Sequence, residues 1–282
     1  MSVRLINLAG RAALALDGAV IDVERRSGGA LPADPMQALA RWDALRDWAA
    51  SLSPADGEAA LDESALEPCV PRPAKIFAVG LNYRDHAQEA GLELPKQPMI
   101  FTKFSNCVAS PRADVVLLGE RVDYEVELVV VIGRRGRRVA QADAPAHVAG
   151  YCVGQDISDR SLQFADRPPQ FSLAKSADSY GPIGPAVVSL DAFADPDDLA
   201  IRCDVNDERR QDDRTRGMIF SVAELVEFLS RYCTLEPGDL IFTGTPAGVG
   251  AVCDPRRYLA PGDVIASEIE GIGTLRNRCV RG

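Results

Sequence analysis

The chain has 282 residues, of which 46% are hydrophobic and 26% charged, and its formal net charge is −10. This is globular composition, sufficient for one large core or for a domain with a smaller appendage, and the acidity excludes a nucleic-acid partner, because phosphate backbones are repelled. A small anionic substrate is repelled as well, so its site needs a local Lys, Arg or metal ion to reverse the sign.

Residues 1–70 read as a small N-terminal α+β domain. Apolar stretches at 2–6 and 13–23, around Gly10 and Gly18, predict a hairpin. Asp34-Pro35 reads as a cap followed by a first-turn proline. Leu39, Trp42, Leu45, Trp48 or Ala49, and Leu52 then recur at the spacing of one amphipathic helix. A polar break follows at 51–57, and the proline-flanked run 68–73 marks a boundary. No stretch reaches the roughly 20 apolar residues of a membrane span, and the N-terminus carries no cleavage pattern. The seven cysteines are odd in number and contain no C-x-x-C pair, which predicts reduced thiols and a cytoplasmic protein.

Residues 71–282 form the predicted catalytic domain. Strands are expected at 75–80, 99–103, 115–118, 122–132, 150–156, 186–188, 199–205, 239–242 and 264–269. Asn82 is placed to cap a helix through Ala90 that stops at Gly91. Ser221 and Glu224 make an S-x-x-E capping box before the stripe Leu225, Phe228, Leu229 and Tyr232. The fold class is therefore α+β and β-rich. No G-x-G-x-x-G or Walker loop supports a nucleotide fold.

The chemistry gathers around Asp123-Tyr124-Glu125-Val126-Glu127. Alternate side chains of a strand share a face, so Glu125 and Glu127 project together, about 7 Å apart along the strand. Two acids on so apolar a strand are either ion-paired near its end or compensated by a cation. Asp156, at the end of a second hydrophobic stretch, supplies a third carboxylate. Three such groups with room for water make a hard oxygen site that suits Mg2+ or Mn2+ better than zinc, with Ca2+ accepted in vitro. Arg160 and Gln163 follow Asp156 at helical spacing and suit a bound carboxylate or carbonyl. His86 and Glu89, three apart on a helix, read either as a surface pair or as an oriented general base. His147 reads as structural. Lys175 stands between an apolar approach and a Gly/Pro-rich loop. Residues 243–250 (TGTPAGVG) follow a buried strand, and their glycines allow backbone to approach a ligand closely.

Taken in order, FAVGLNYRDHAQEAG, MIFTKFSN, DYEVELVVVIG, GYCVGQDISDRSLQ, KSADSYGPIGP, IFTGTPAGVG and EIEGIGTLRN resemble the fumarylacetoacetate hydrolase family over about residues 74–280. The resemblance implies a mixed β-sandwich roll, usually dimeric, with a small N-terminal domain. It places the metal on Glu125, Glu127 and Asp156, and a water-activating pair on His86 and Glu89. Arg160, Gln163, Lys175 and Thr245 fall on its polar substrate contacts. What it implies for activity is a Mg/Mn-dependent C–C bond hydrolase of a 2,4-diketo acid, in which His86 activates water and Lys175 stabilises the oxyanion. Its rivals are a decarboxylase or an isomerase or tautomerase of a small 2-oxo dioic acid, of the oxaloacetate or 2-hydroxyhepta-2,4-dienedioate type, and a non-catalytic Ca2+-binding protein. The expected partner is a small 2-oxo acid, with a second copy of the chain in a homodimer.

Overall fold

The apolar run at 126–132 becomes the centre of a large mixed sheet. In the computed structural model, which describes residues 2–16 and 18–282, all seven residues of the strand Val126–Ile132 are buried. It pairs antiparallel with Val148–Gln155 on one side and Leu240–Phe242 on the other. Leu240–Phe242 pairs parallel with Ile76–Gly80, whose far neighbour is the edge strand Met99–Thr102. On the opposite flank Val148–Gln155 meets Gly181–Val188, which in turn pairs with Arg4–Leu8. The N-terminal hairpin Arg4–Leu8 and Arg11–Leu16, with Ala19–Asp22 beside it, thereby extends the sheet.

A second sheet runs in the order Glu208–Arg214, Ala200–Val205, Val264–Ile269, Gly273–Arg281, Val115–Leu117. It packs across the central strands of the first, and the core lies between the two. Mixed sheets with few helices give the β-rich α+β class expected from the sequence. No helix of the described residues is long and apolar enough to cross a membrane.

Local signals explain the helix ends. Asp34 accepts a hydrogen bond from Gln37 N and Pro35 occupies the first turn. The expected single helix is nevertheless two, Pro35–Ala40 and Trp42–Ala49, broken where Arg41 leaves helical dihedrals. The Ser221–Glu224 capping box forms on Val222–Tyr232, but the buried face is Val222, Leu225, Val226 and Leu229. Tyr232, read from the sequence as part of that stripe, is 71% exposed and packs on Phe228 instead.

Asn82 departs from its expected role. The helix Arg84–Glu89 is capped at Tyr83 with no side-chain bond. The Asn82 amide is buried and donates to Thr243 O (2.7 Å) and Phe220 O (3.0 Å), while its oxygen accepts from Phe220 N at 2.8 Å. It ties the loop after Leu240–Phe242 to the approach of the 222–232 helix. Asn82→Ala strands these buried backbone groups and is expected to cost about 3 kcal/mol, read as a lower urea midpoint at unchanged m-value.

Candidate functional site

Three acids meet where the central ladder ends. Glu127 opposes Gly154 and Val126 opposes Gln155, and the ladder closes with Asp156 N donating to Glu125 O at 2.9 Å. The expected continuous strand over 122–132 is interrupted here. Gln155 Oε1 takes the Glu125 N–H and Gln211 Oε1 takes the Val126 N–H, so side-chain amides replace ladder partners and Glu125 lies outside the strand. One ligand oxygen from each of Glu125, Glu127 and Asp156 lies within 4.8 Å of the others, and all three residues are buried.

Charge is unevenly distributed over this cluster. Arg160 bonds Glu125 Oε1 (2.5 Å) and Asp123 Oδ2 (2.9 Å). Lys175 Nζ bridges Glu125 Oε2 and Asp156 Oδ2, each at 2.7 Å, and reaches Ser158 Oγ at 2.7 Å. Lys103 Nζ holds Asp156 Oδ1 at 2.6 Å and also donates to the carbonyls of Lys175 and Tyr180. Four buried carboxylates thus face three buried cations, and Glu127 is the acid left over. Among the described residues no cation comes within ion-pair distance of it; Gly244 N donates to its Oε2 at 2.8 Å.

The titration behaviour follows from this arrangement. Burial, reinforced by Asp156 and Glu125, pushes the Glu127 carboxyl well above the usual range. Burial acts on Glu125 in the same direction, but Lys175 and Arg160 outweigh it and hold its pKa down to about 2. A buried acid without a positive partner, converging with two others, fits a divalent cation, and an all-carboxylate donor set suits Mg2+ or Mn2+. Three carboxylates leave positions open for water or a ligand, as Mg2+ and Mn2+ sites do, unlike a closed Ca2+ cage of about six to eight protein oxygens.

The loop after Leu240–Phe242 serves the acids. Gly244 N donates to Glu127, Gly248 N to both oxygens of Glu89 (3.2 and 3.1 Å), and Gly250 N to Asp123 Oδ1 at 2.8 Å. The sequence suggested that these glycines let backbone approach a ligand; in the structure their N–H groups approach carboxylates of the chain. Gly244 has φ +97° and a Cβ there would lie 2.8 Å from Asn82 Cβ, so only glycine sets this approach. The Thr245 hydroxyl donates to Val126 O and accepts from Gln211, fixing the loop to the central strand.

His86 sits on the short helix beside this loop, with Nδ1 3.5 Å from Glu89 Oε2. Burial raises the Glu89 pKa, but the bonds from His86 and Gly248 N outweigh it and leave it lowered. The imidazole lines a cavity of about 670 Å3 together with Glu125, Glu127, Arg160, Gln163, Lys175 and Thr245.

Of the nine residues singled out in the sequence, seven line one cavity, and Glu89 stands outside that lining, bonded to His86. Asp156 lies beneath, fully buried. Arg160 bonds Gln163 Oε1 (2.8 Å) as well as the two acids, and all three donors of Lys175 are engaged. Both cations act here as clamps on the carboxylates. Asp123, Lys103 and Ser158 had no role in the sequence reading. Lys103 left one signal, a lysine ending an apolar strand, and Asp123 left another, an acid opening one. His147 bonds Arg134 O at 3.2 Å, a structural contact.

Residues 75–280 match the family described as fumarylacetoacetate (FAA) hydrolase C-terminal. The mitochondrial oxaloacetate tautomerase FAHD2B of Bos taurus is 44% identical over 213 residues, 75% of this chain and 68% of that protein. A crystal structure from Mycobacterium smegmatis, provisionally assigned as HpcE, superposes with a TM-score of 0.94 at 45% identity over 99% of both chains. Maleylpyruvate hydrolase from Sphingobium sp. SYK-6, solved with manganese(II) and pyruvate, superposes with a TM-score of 0.82 at 28% identity over 99% of both chains.

Proposed function

The chain belongs to the fumarylacetoacetate hydrolase family, and on that premise we propose that it is a divalent-metal-dependent tautomerase or isomerase of a small 2-oxo dioic acid, the class to which oxaloacetate belongs. This departs from the C–C hydrolase first expected, because the tautomerase named above is similar to this chain over three quarters of its length. One observation carries the reading. An oriented imidazole and an incompletely neutralised cluster of carboxylates open on the same cavity.

Glu125, Glu127 and Asp156 are the residues to hold the cation. A Mg2+ or Mn2+ ion held there would supply Lewis acidity toward the keto oxygen, which would make the neighbouring C–H more acidic. His86, with Nδ1 toward Glu89, presents Nε2 as the base. Nε2 takes a proton from the carbon beside the keto group. The C–H electron pair becomes the new C=C bond, and the carbonyl π pair settles on oxygen. The imidazolium then returns its proton to that oxygen, giving the enol, or to a more distant carbon of a conjugated chain, giving an isomer. Nothing is consumed in either case. Arg160, Lys175 and Lys103 hold the Glu125 and Asp156 carboxylates in place, and Glu89 fixes the imidazole.

C–C hydrolysis is the second reading, and the His86–Glu89 pair favours it directly, since the same base can deprotonate water. Product analysis with Mn2+ and with chelator separates the two. Faster enol–keto conversion of oxaloacetate, abolished by chelator and yielding no new acid, is the expected result. Release of two acids from an acylpyruvate at a greater kcat/KM would replace it with the hydrolase.

A further inference from the structure

Two arginines in the cavity have no part in the proton transfer. Arg121 and Arg256 line it together with Glu125, Glu127 and His86. Among the described residues neither forms a salt bridge, whereas Arg160, on the same cavity, is bonded to two acids. Arg121 is held in place. Its carbonyl accepts from Arg160 N at 2.9 Å, and its guanidinium lies over the Tyr258 ring, 5.9 Å from the centroid. In a chain of net charge −10, two uncompensated guanidinium groups on one cavity make a local positive field, which an anionic ligand requires.

The rest of the cavity specifies the shape of that ligand. A four-carbon oxo acid with nine non-hydrogen atoms, at roughly 30 Å3 per water-sized group, fills less than half of the about 670 Å3. Leu92, Met99, Phe101, Phe164 and Phe171 supply apolar wall. We infer that Arg121 and Arg256 form a second anion subsite that takes the distal carboxylate of a 2-oxo dioic acid longer than four carbons, with its middle against the apolar wall. The planar guanidinium matches a carboxylate in two parallel bonds. The inference rests on the 2-oxo acid reading of the cavity. Both arginines are exposed, so solvent screens the contact, and a preference of about tenfold is expected.

The test is calorimetric titration of the Mn2+-loaded protein with 2-oxoadipate and with 2-oxohexanoate, which differ only in the terminal carboxylate. The parent is expected to bind the dioate about tenfold more tightly, and Arg121→Gln/Arg256→Gln to bring the ratio of the two dissociation constants close to one. Arg257→Gln removes the same charge from a neighbour outside this cavity and keeps the ratio. A parent without preference, a double variant that keeps it, or an Arg257→Gln protein that loses it overturns the subsite. Deuterium exchange at C3 of both acids is followed in parallel. Dioate preference without exchange upholds the subsite and sinks the tautomerase; exchange without preference does the reverse.

Discussion

Replacing Glu127 by glutamine is expected to abolish divalent-cation binding and turnover while leaving the cation-free protein as stable as the parent or more so. The reason is the uneven pairing of the three acids. Glu127 is buried with no cationic partner among the described residues, and burial pushes its carboxyl well above the usual range. Glutamine keeps an oxygen for Gly244 N and removes an ionisable group that the cation-free fold tolerates poorly. The gain in chelator is expected at about 1 kcal/mol or more, and the loss of Mn2+ affinity at about 100-fold or more, because even residues behind the ligands cost 10–100-fold. Glu125→Gln and Asp156→Asn lose the metal as well, but with the opposite sign on the cation-free fold. They leave Arg160 with Lys175, or Lys103 with Lys175, facing a neutral amide. Breaking such buried pairs costs about 3–5 kcal/mol. Thermal melts with chelator and with excess Mn2+ read both quantities, since a ligand that binds only the folded state raises its stability by mass action. A Glu127→Gln protein that melts with chelator as low as Glu125→Gln, or that still gains stability from Mn2+, refutes the assignment.

The acids themselves were legible because residue type and spacing carry them. Asp123-Tyr124-Glu125-Val126-Glu127 stands at the start of an apolar run, and Asp156 at the end of another. Their partners were not legible, because they arrive from a distance. Lys103 is 53 residues from Asp156, and Gln211, which takes the Val126 N–H, is 85 residues away. Those amides break the strand that alternation predicts through residue 124, and no local signal encodes them. Most central strands were readable as apolar runs, and the Ser221–Glu224 box and the Asp34 cap as short-range chemistry, but Glu208–Arg214, a run of polar residues, and Gly273–Arg281 were not expected as strands. Their order in the sheet was not, since Ile76–Gly80 and Leu240–Phe242 pair across more than half the chain. The burial of Asn82 hides in the same way. Its sequence neighbourhood is that of a helix cap, and its amide is claimed by loops 138 and 161 residues away.

His86→Ala is expected to lower C3 proton exchange of 2-oxo acids by about 10²- to 10⁴-fold, the usual contribution of one positioned acid–base group, with Mn2+ affinity changed less than about twofold. The separation follows from geometry. His86 bonds Glu89 and lines the cavity, while the three clustered acids are held by Lys103, Arg160, Lys175 and Gly244 N, whose hydrogen bonds go to groups other than the imidazole. Glu89→Gln is expected to have a smaller effect, about tenfold, because its 3.5 Å contact is long and the imidazole remains in place. Added free imidazole should restore part of the exchange to His86→Ala and none to Glu127→Gln, where the cation is what is missing. The comparison also decides between the two chemistries. A proton carrier is needed for enolisation whether or not water is present, whereas a water activator is needed only for cleavage. A His86→Ala protein that enolises oxaloacetate normally yet no longer cleaves acylpyruvates makes the pair a water activator, and the hydrolase then becomes the activity the site is built for.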